Sequence, residues 1–331
     1  MRLPKTECVY PSTLEEACSC LMQDEGQAKV IAGGTDVVVA LKQRRLAARN
    51  LVSISCLREL SFISSTEARG LAIGAMTTLS EIARSNAVRE TCPSLAVAAS
   101  RVASPQIRNV GTIGGNIALD SRCWYYNQSS FWRSTRPLCF KTGGDVCHVV
   151  KGGKRCYSLV SADTIPALMV AGASVELVSQ AGSRALPIED VYTGDGQTPT
   201  TIRTDEILTR VLIPAPIGAS IYVKNAYRET IDFPIVGVAA VVSHGSNGMI
   251  EHVRLVVGAA TTAPVRAKAA ERLLIGREAS EELLEEAGRV AVKELGAIRN
   301  IFASSAYKRR VIGVLVKTAV QQAASISRVN H

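Results

Sequence analysis

Apolar positions along the chain recur at two spacings, and the spacing changes every ten to twenty residues, as in a mixed fold of short helices and strands. Residues 13–24 (TLEEACSCLMQD) predict a helix with Ser12 or Thr13 as N-cap and Glu15 and Glu16 in its first turn. Residues 28–32 (AKVIA) predict a strand, followed by Gly33-Gly34-Thr35-Asp36 and a helical run to about Arg45. Strands are predicted at 51–54 and 71–74, and helices at 78–85 and 92–101, the first with Thr78 and Glu81 at capping-box spacing. The span between about 121 and 158, with its Gly143-Gly144 and Gly152-Gly153 pairs, reads as an irregular insertion. Regular structure is expected again over 167–178, where the alternation Ser174-Val175-Glu176-Leu177 suggests an antiparallel strand. Pro214-Ala215-Pro216-Ile217-Gly218 marks a boundary. Beyond it, strands at 234–243 and 249–257 flank Ser246-Asn247-Gly248, a hairpin signal. Helices are then predicted at 264–274, 280–295 and 307–324, so the last third is a small sheet backed by helices.

A length of 331 residues exceeds what one core usually organises, so two or three domains or subdomains are expected. With 47% hydrophobic and 20% charged residues, a disordered chain is excluded. No run reaches the ~18 apolar residues of a membrane helix. The most apolar stretch, 162–178, carries Asp163, Glu176 and Pro166. The first residues, MRLPKTE, lack the apolar core of a signal peptide, so a soluble, cytoplasmic protein is expected, with no membrane partner. The net charge of +9 could suggest nucleic acid, but most basic residues are dispersed, and no nucleic-acid partner is expected. The exception is 122–155, where Arg122, Arg133, Arg136, Lys141, Lys151, Lys154 and Arg155 face one acid, Asp145.

That same segment holds four of the nine cysteines: Cys123, Cys139, Cys147 and Cys156, separated by gaps of 15, 7 and 8 residues. The other five (Cys8, Cys18, Cys20, Cys56, Cys92) are scattered through the first 92 residues and are expected to be small buried hydrophobes. Disulfides do not suit a chain without an export signal. Structural zinc favours close C-x₂₋₄-C pairs, which these gaps are not, though zinc stays open. An iron–sulfur cluster also takes four thiolates and accepts long loops on a rigid scaffold, and its negative charge suits the surrounding cations. Four unrelated thiols are the third possibility, and His148 is expected to be an exposed loop residue.

Two glycine loops each follow a plausible strand. One is Val30-Ile31-Ala32-Gly33-Gly34-Thr35-Asp36-Val37, the other Asn109-Val110-Gly111-Thr112-Ile113-Gly114-Gly115-Asn116. Paired glycines let successive backbone N–H groups converge on a phosphate oxygen. Neither loop is G-x-G-x-x-G, and no G-x-x-x-x-G-K-[ST] occurs. Either loop alone could be a simple turn. Together, with Thr and Asn able to bond phosphate or ribityl oxygens, they favour a dinucleotide.

The loops AGGTD and NVGTIGGNIA, with SADTIPAL at 161–168 and Tyr222-Val223-Lys224, Arg228 and Asp232-Phe233, closely resemble the flavin subunits of molybdenum hydroxylases, the xanthine dehydrogenase family. The resemblance covers essentially the whole chain. It implies a mixed α/β and α+β fold: an FAD-binding subdomain at 1–55, a second at 56–216, and a C-terminal α+β domain of a small antiparallel sheet with helices at 217–331. It implies that Val30, Ile31, Ala32, Gly33, Gly34, Thr35, Asp36 and Val37 form one FAD pyrophosphate loop, and Thr112, Ile113, Gly114, Gly115 and Asn116 the other. Val102 would contact the flavin, Asp163 would bond its ribityl or pyrophosphate region, and Leu208 and Lys224 would lie near the isoalloxazine. Plain packing is the competing role for Val102 and Leu208, and an exposed strand position for Lys224.

In that family the sequence runs almost directly from GGN to the acid at Asp163, and the four-cysteine insertion departs from it. The insertion is similar to the one in the β subunit of 4-hydroxybenzoyl-CoA reductases, where it carries a [4Fe–4S] cluster. This resemblance implies an oxidoreductase subunit with FAD and one [4Fe–4S] cluster held by Cys123, Cys139, Cys147 and Cys156. It also implies a large molybdopterin subunit and a small subunit with two [2Fe–2S] clusters as partners, in a dimer of heterotrimers, with a ferredoxin as electron donor. The flavin subunit of an ordinary hydroxylase that passes electrons from substrate to NAD or another acceptor is the alternative. No catalytic acid, base or nucleophile is expected in this chain.

Overall fold

Three separate sheets carry the fold in the computed structural model, which describes residues 3–24 and 26–329. The first is built from β1 (Glu7–Val9), α1 (Leu14–Gln23), β2 (Ala28–Ile31), α2 (Val37–Lys42) and β3 (Asn50–Ser53). Its strands are parallel in the order β1-β3-β2. Thr13 caps α1 by accepting the Glu16 N–H at 3.2 Å, and the helix buries Ala17, Cys18 and Leu21 against Val52, Ile54 and Ile207. The expectation that all five scattered cysteines are buried is corrected here. Cys18 and Cys92 are buried and Cys20 is half-buried, but Cys8 and Cys56 are exposed. Cys8 lies on the edge strand β1, and Cys56 on the turn after β3.

The second unit comprises β4 (Ile63–Ser65), β5 (Leu71–Gly74), α3 (Leu79–Arg84), α4 (Asn86–Thr91), α5 (Pro93–Ser100), α6 (Pro105–Arg108), α7 (Ile113–Ile117), α8 (Ser130–Ser134), α9 (Thr164–Val170), β6 (Ser174–Ser179), β7 (Gly182–Pro187) and β8 (Ile207–Ile213). Its five strands are antiparallel in the order β4-β5-β8-β6-β7. The expected capping box at Thr78 and Glu81 forms at the start of α3. Every residue of α9 is buried, because it lies between this unit's core and the third sheet.

The third unit comprises β9 (Ala219–Asn225), β10 (Val236–His244), β11 (Ile250–Gly258), β12 (Val265–Arg266), α10 (Lys268–Leu274), α11 (Glu281–Leu295) and α12 (Ser305–Val329). Its antiparallel order is β12-β11-β10-β9, and Gly248, at φ +76°, turns the β10–β11 hairpin. Both faces of β10 are covered. Ala239 and Val241 join the core around α9, while Val238, Ala240 and Val242 join the core beneath α12. Helices α11 and α12 cross at Gly288 and Gly313, where a Cβ on Gly288 would fall 2.6 Å from the Gly313 carbonyl oxygen. Among the described residues no helix is long and apolar enough to cross a membrane.

Lys308 is an oddity of this last core. Its side chain is fully buried at the start of α12, and its Nζ donates to the Ala259 carbonyl at 2.9 Å. Burial pulls the ammonium from 10.5 down to about 8. A depressed lysine costs stability at neutral pH, because both states hold the proton and only the folded state hides it. Between about pH 8 and 10.5 the folded chain releases the proton first, so stability rises with pH there. Lys308→Met is expected to stabilise the chain at pH 7 by about 1–2 kcal/mol, the desolvation relieved less the bond lost at Ala259. That advantage should shrink steadily toward pH 10.5. Urea unfolding of both proteins at pH 7 and pH 10 measures it, and an equal stability difference at both pH values would contradict the account.

Candidate functional site

The C-terminal end of β2 runs into the first glycine loop, and α7 begins inside the second, so the two sheets bring the loops face to face. They touch at Gly33, where a Cβ would sit 1.8 Å from the Val110 carbonyl oxygen. Gly34 follows at φ +72°, a conformation that costs other residues about 1–2 kcal/mol. Among the described residues the backbone N–H groups of Gly33, Gly34, Thr35 and Asp36 donate to no other group. Four successive free donors around a left-handed glycine make a concave site for an anionic oxygen.

The second loop is built differently from the sequence expectation of converging N–H groups. Ile113 N–H donates to the Thr77 carbonyl, Gly114 N–H to that of Ala75, Gly115 N–H to Thr112 Oγ1 at 3.1 Å, and Asn116 N–H to the Thr112 carbonyl. Its amides are used to wind α7 and seat it on the strand above. What it offers outward is the bare, exposed face of Gly115 and the Asn116 amide, whose Oδ1 accepts from Thr164 Oγ1 at 2.6 Å.

Asp163 stands just before α9 and is buried. Its Oδ1 accepts the Tyr222 hydroxyl at 2.7 Å, and Lys224 Nζ lies 3.0 Å from Oδ1 and 3.2 Å from Oδ2. Tyr222 and Lys224 are two apart on β9, so both project from the face that looks toward α9. Lys224 also donates to the carbonyls of Arg101 at 2.8 Å and Asp232 at 2.9 Å. Its side chain is 5% exposed, which excludes an exposed strand position. Burial raises the Asp163 carboxyl above its ordinary value although Lys224 and Tyr222 both favour its ionised form. The lysine thus draws together Asp163, residue 232 and the turn preceding Val102, which is half-buried against the same core. Leu208 is buried in β8 opposite Leu177, and packing is its visible role. Tyr222 entered the sequence reading only as part of the matching Tyr222-Val223-Lys224 motif, with no role assigned to it. Gly237, opposite Lys224 on β10, leaves room for its ring: a Cβ there would fall 2.5 Å from the hydroxyl.

The insertion is closed at its neck by reciprocal bonds between Arg122 and Leu159, at 2.7 and 2.9 Å. Inside it, a turn of α8 and a bridge between Cys139 and Val146 order the loop. Cys123, Cys139, Cys147 and Cys156 line one small cavity with Tyr126 and Lys141. His148 is half-buried rather than exposed, since it lines the same cavity and its Nε2 lies 2.9 Å from the Pro137 carbonyl. Burial raises the Cys123 thiol and pushes the Cys156 thiol up to about 11. Such thiols stay protonated and inert at neutral pH unless a metal displaces the protons.

The insertion is also fastened to the first glycine loop. Arg122 pairs with Asp36 at 2.6 Å and lies over the Phe233 ring, while Arg133 donates to the carbonyls of Gln43 and Arg44 just after α2. Lys141 turns inward onto Asp120 at 2.8 Å. Three of the segment's seven cations therefore anchor structure, and Arg136, Lys151, Lys154 and Arg155 remain exposed.

These residues fit the two groups differently. The free amides of the first loop and the open face of Gly115 suit the phosphates of a dinucleotide. Four thiols lining one cavity, with the buried Lys141 beside them, suit a multi-atom centre bearing four thiolates. Among the described residues no three His, Cys, Asp or Glu side chains lie close enough together to share one metal ion.

Comparison with known proteins agrees with the flavin half of this geometry. Residues 4–216 match the family described as the FAD binding domain in molybdopterin dehydrogenase, and residues 221–323 match the CO dehydrogenase flavoprotein C-terminal domain. The chain is 28% identical to the xanthine dehydrogenase FAD-binding subunit of Escherichia coli O157:H7, over 94% of both chains. It is 28% identical to the nicotine 6-hydroxylase medium subunit of Paenarthrobacter nicotinovorans, over 98% of this chain and 99% of that one. A carbon monoxide dehydrogenase structure from Hydrogenophaga pseudoflava superposes with a TM-score of 0.81 at 26% identity, covering 98% of this chain and 99% of the other. By matches that run through nearly its whole length, the protein belongs to the FAD-binding flavoprotein subunits of the molybdopterin dehydrogenases.

Proposed function

We propose that this chain is the FAD- and [4Fe–4S]-containing electron-transfer subunit of a molybdenum enzyme that reductively removes the phenolic hydroxyl of an aryl-CoA thioester, as in the 4-hydroxybenzoyl-CoA reductases. The observation that carries this reading is the convergence of four widely spaced cysteines on one cavity, inside an insertion fastened to the first glycine loop. Cys123, Cys139, Cys147 and Cys156 would hold the cluster. Residues 30–37 would supply backbone donors to the FAD pyrophosphate, with Thr112, Ile113, Gly114, Gly115 and Asn116 on the other side of it. Val102, Asp163, Leu208 and Lys224 would border the rest of the flavin. When bound, FAD exchanges electrons singly or in pairs and the cluster singly. The chain's own residues supply position and electrostatics: Lys224, fixed by Asp163 and two carbonyls, keeps one positive charge at a constant place beside the flavin site.

Substrate chemistry would lie on a large molybdopterin subunit, with a small subunit of two [2Fe–2S] clusters between, in a dimer of heterotrimers. Names such as "medium subunit" among the relatives support an assembly of this kind. The second reading, a flavin subunit passing electrons from substrate to NAD, is favoured by the xanthine dehydrogenase and nicotine hydroxylase relatives. The insertion speaks against it, since NAD meets flavin directly and needs no further centre.

A ferredoxin is the donor we assign. Lys151, Lys154 and Arg155 are exposed next to buried Cys156, and complementary charge speeds encounter with a small acidic protein. Exposed charges lose reach as the Debye length falls from ~10 Å at 0.1 M salt to ~3 Å at 1 M. Reduction of the complex by ferredoxin, followed by stopped flow, should therefore slow by roughly tenfold or more over that range. Changing Lys151, Lys154 and Arg155 together to Gln should flatten the dependence. A rate indifferent to both salt and the triple substitution would remove the docking role.

A further inference from the structure

One charged side chain, Lys141, stands in the wall of the four-cysteine cavity. It is 5% exposed, and its three ammonium donors are all engaged, to Asp120 Oδ1 at 2.8 Å, Ser121 Oγ at 2.7 Å and the Gly196 carbonyl at 2.7 Å. With no donor to spare, it cannot swing away. Behind it lies Arg45, 2% exposed, 3.7 Å from Asp120 and above the Tyr126 ring that also lines the cavity. One Arg45 nitrogen, Nη2, is buried without a partner. Arg133 approaches the same ring from the insertion side. Three cations thus face this wall, with Asp120 the carboxylate set against Lys141 and Arg45. Three cations against one carboxylate leave a positive balance beside the cavity, and the burial of Lys141 and Arg45 limits the screening of their charges.

Resting on the cluster reading above, we propose that Lys141 is a positioning charge that sets the reduction potential of the centre held by the four cysteines, and that Asp120 opposes it. One-electron reduction adds a negative charge to an assembly already negative through its thiolates. A fixed ammonium in the wall stabilises that form and raises the potential, whereas the carboxylate lowers it. Lys141 touches neither donor nor substrate; it acts through the field it holds on the cavity.

The test is an anaerobic redox titration of the full chain with dithionite as electron source, read by the EPR signal of the reduced centre, alongside iron and flavin content. Lys141→Gln, loaded with iron, should have a midpoint lowered by at least the ~59 mV that corresponds to a tenfold change in a one-electron equilibrium. Lys141→Arg should stay close to wild type. Asp120→Asn should move the midpoint up. General loosening of the cavity would not shift the two neutral variants in opposite directions. An unmoved midpoint in iron-loaded Lys141→Gln overturns the proposal alone. Should Lys141→Gln lose its iron, the sign of the Asp120→Asn shift decides: upward supports the proposal, and unmoved or downward overturns it. A wild-type chain without iron overturns the cluster reading and this inference with it.

Discussion

Replacing any one of Cys123, Cys139, Cys147 or Cys156 with Ser is expected to remove roughly four irons per chain while leaving FAD bound. A serine hydroxyl ionises far less readily than a thiol, so the cavity loses one of four anionic ligands and a cluster sharing them falls apart as a unit. Flavin should survive because the contacts that fasten the insertion to the first loop, Arg122 to Asp36 and Arg133 to the carbonyls of Gln43 and Arg44, involve no sulfur. Cys8→Ser, an exposed cysteine on the edge strand β1, serves as the control and should keep all its iron. Iron and flavin assays on protein purified without oxygen measure both effects. Unchanged iron in all four insertion variants would contradict the assignment.

Loss of flavin with retention of fold is the expected result for Gly115→Val. Gly115 is exposed, its φ is not left-handed, and a Cβ would meet Thr112 Oγ1 at 3.1 Å, a tight contact that the capping hydroxyl would have to relieve by shifting a few tenths of an ångström. What the branched side chain would fill is the open face toward the ligand, and FAD content should fall by roughly tenfold or more, as for a cost of ~1.4 kcal/mol or above in binding. Gly34→Val should act similarly through the first loop, because at φ +72° its amide could no longer hold its place among the free donors without strain. Gly33 would be a poor probe: its Cβ would strike Val110 at 1.8 Å and separate the loops, unfolding the site. Flavin-to-protein ratio with circular dichroism checks these outcomes, and stoichiometric FAD in both variants would reduce the loops to structural turns.

Local signals in the sequence survived folding where one short stretch decides the outcome. The Thr13 cap, the Thr78–Glu81 capping box and the Gly248 hairpin each depend on neighbours within four residues, and each formed as expected. Elements that take their character from a distant partner were harder to see. Strand β9 (Ala219–Asn225) sends Ile221 and Val223 to one core and Tyr222 and Lys224 toward Asp163, so a polar residue lies on an inward face and blurs the alternation. Helix α9 is buried all round and so carries no amphipathic period. The two glycine loops looked equivalent as strings, yet only the first leaves successive amides free, because Ala75, Thr77 and Thr112 take those of the second. The insertion's seven cations likewise looked alike in the sequence. Arg122, Arg133 and Lys141 turned inward because Asp36, Asp120 and the carbonyls after α2 offered acceptors that lie outside the insertion.

The most direct measurement is the metal, sulfide and flavin content of the wild-type chain purified without oxygen, with its visible spectrum. The account predicts one FAD with roughly four irons and four sulfides per chain, and flavin bands over a broad iron–sulfur shoulder that bleaches on reduction. One zinc per chain, or flavin without iron, would contradict it.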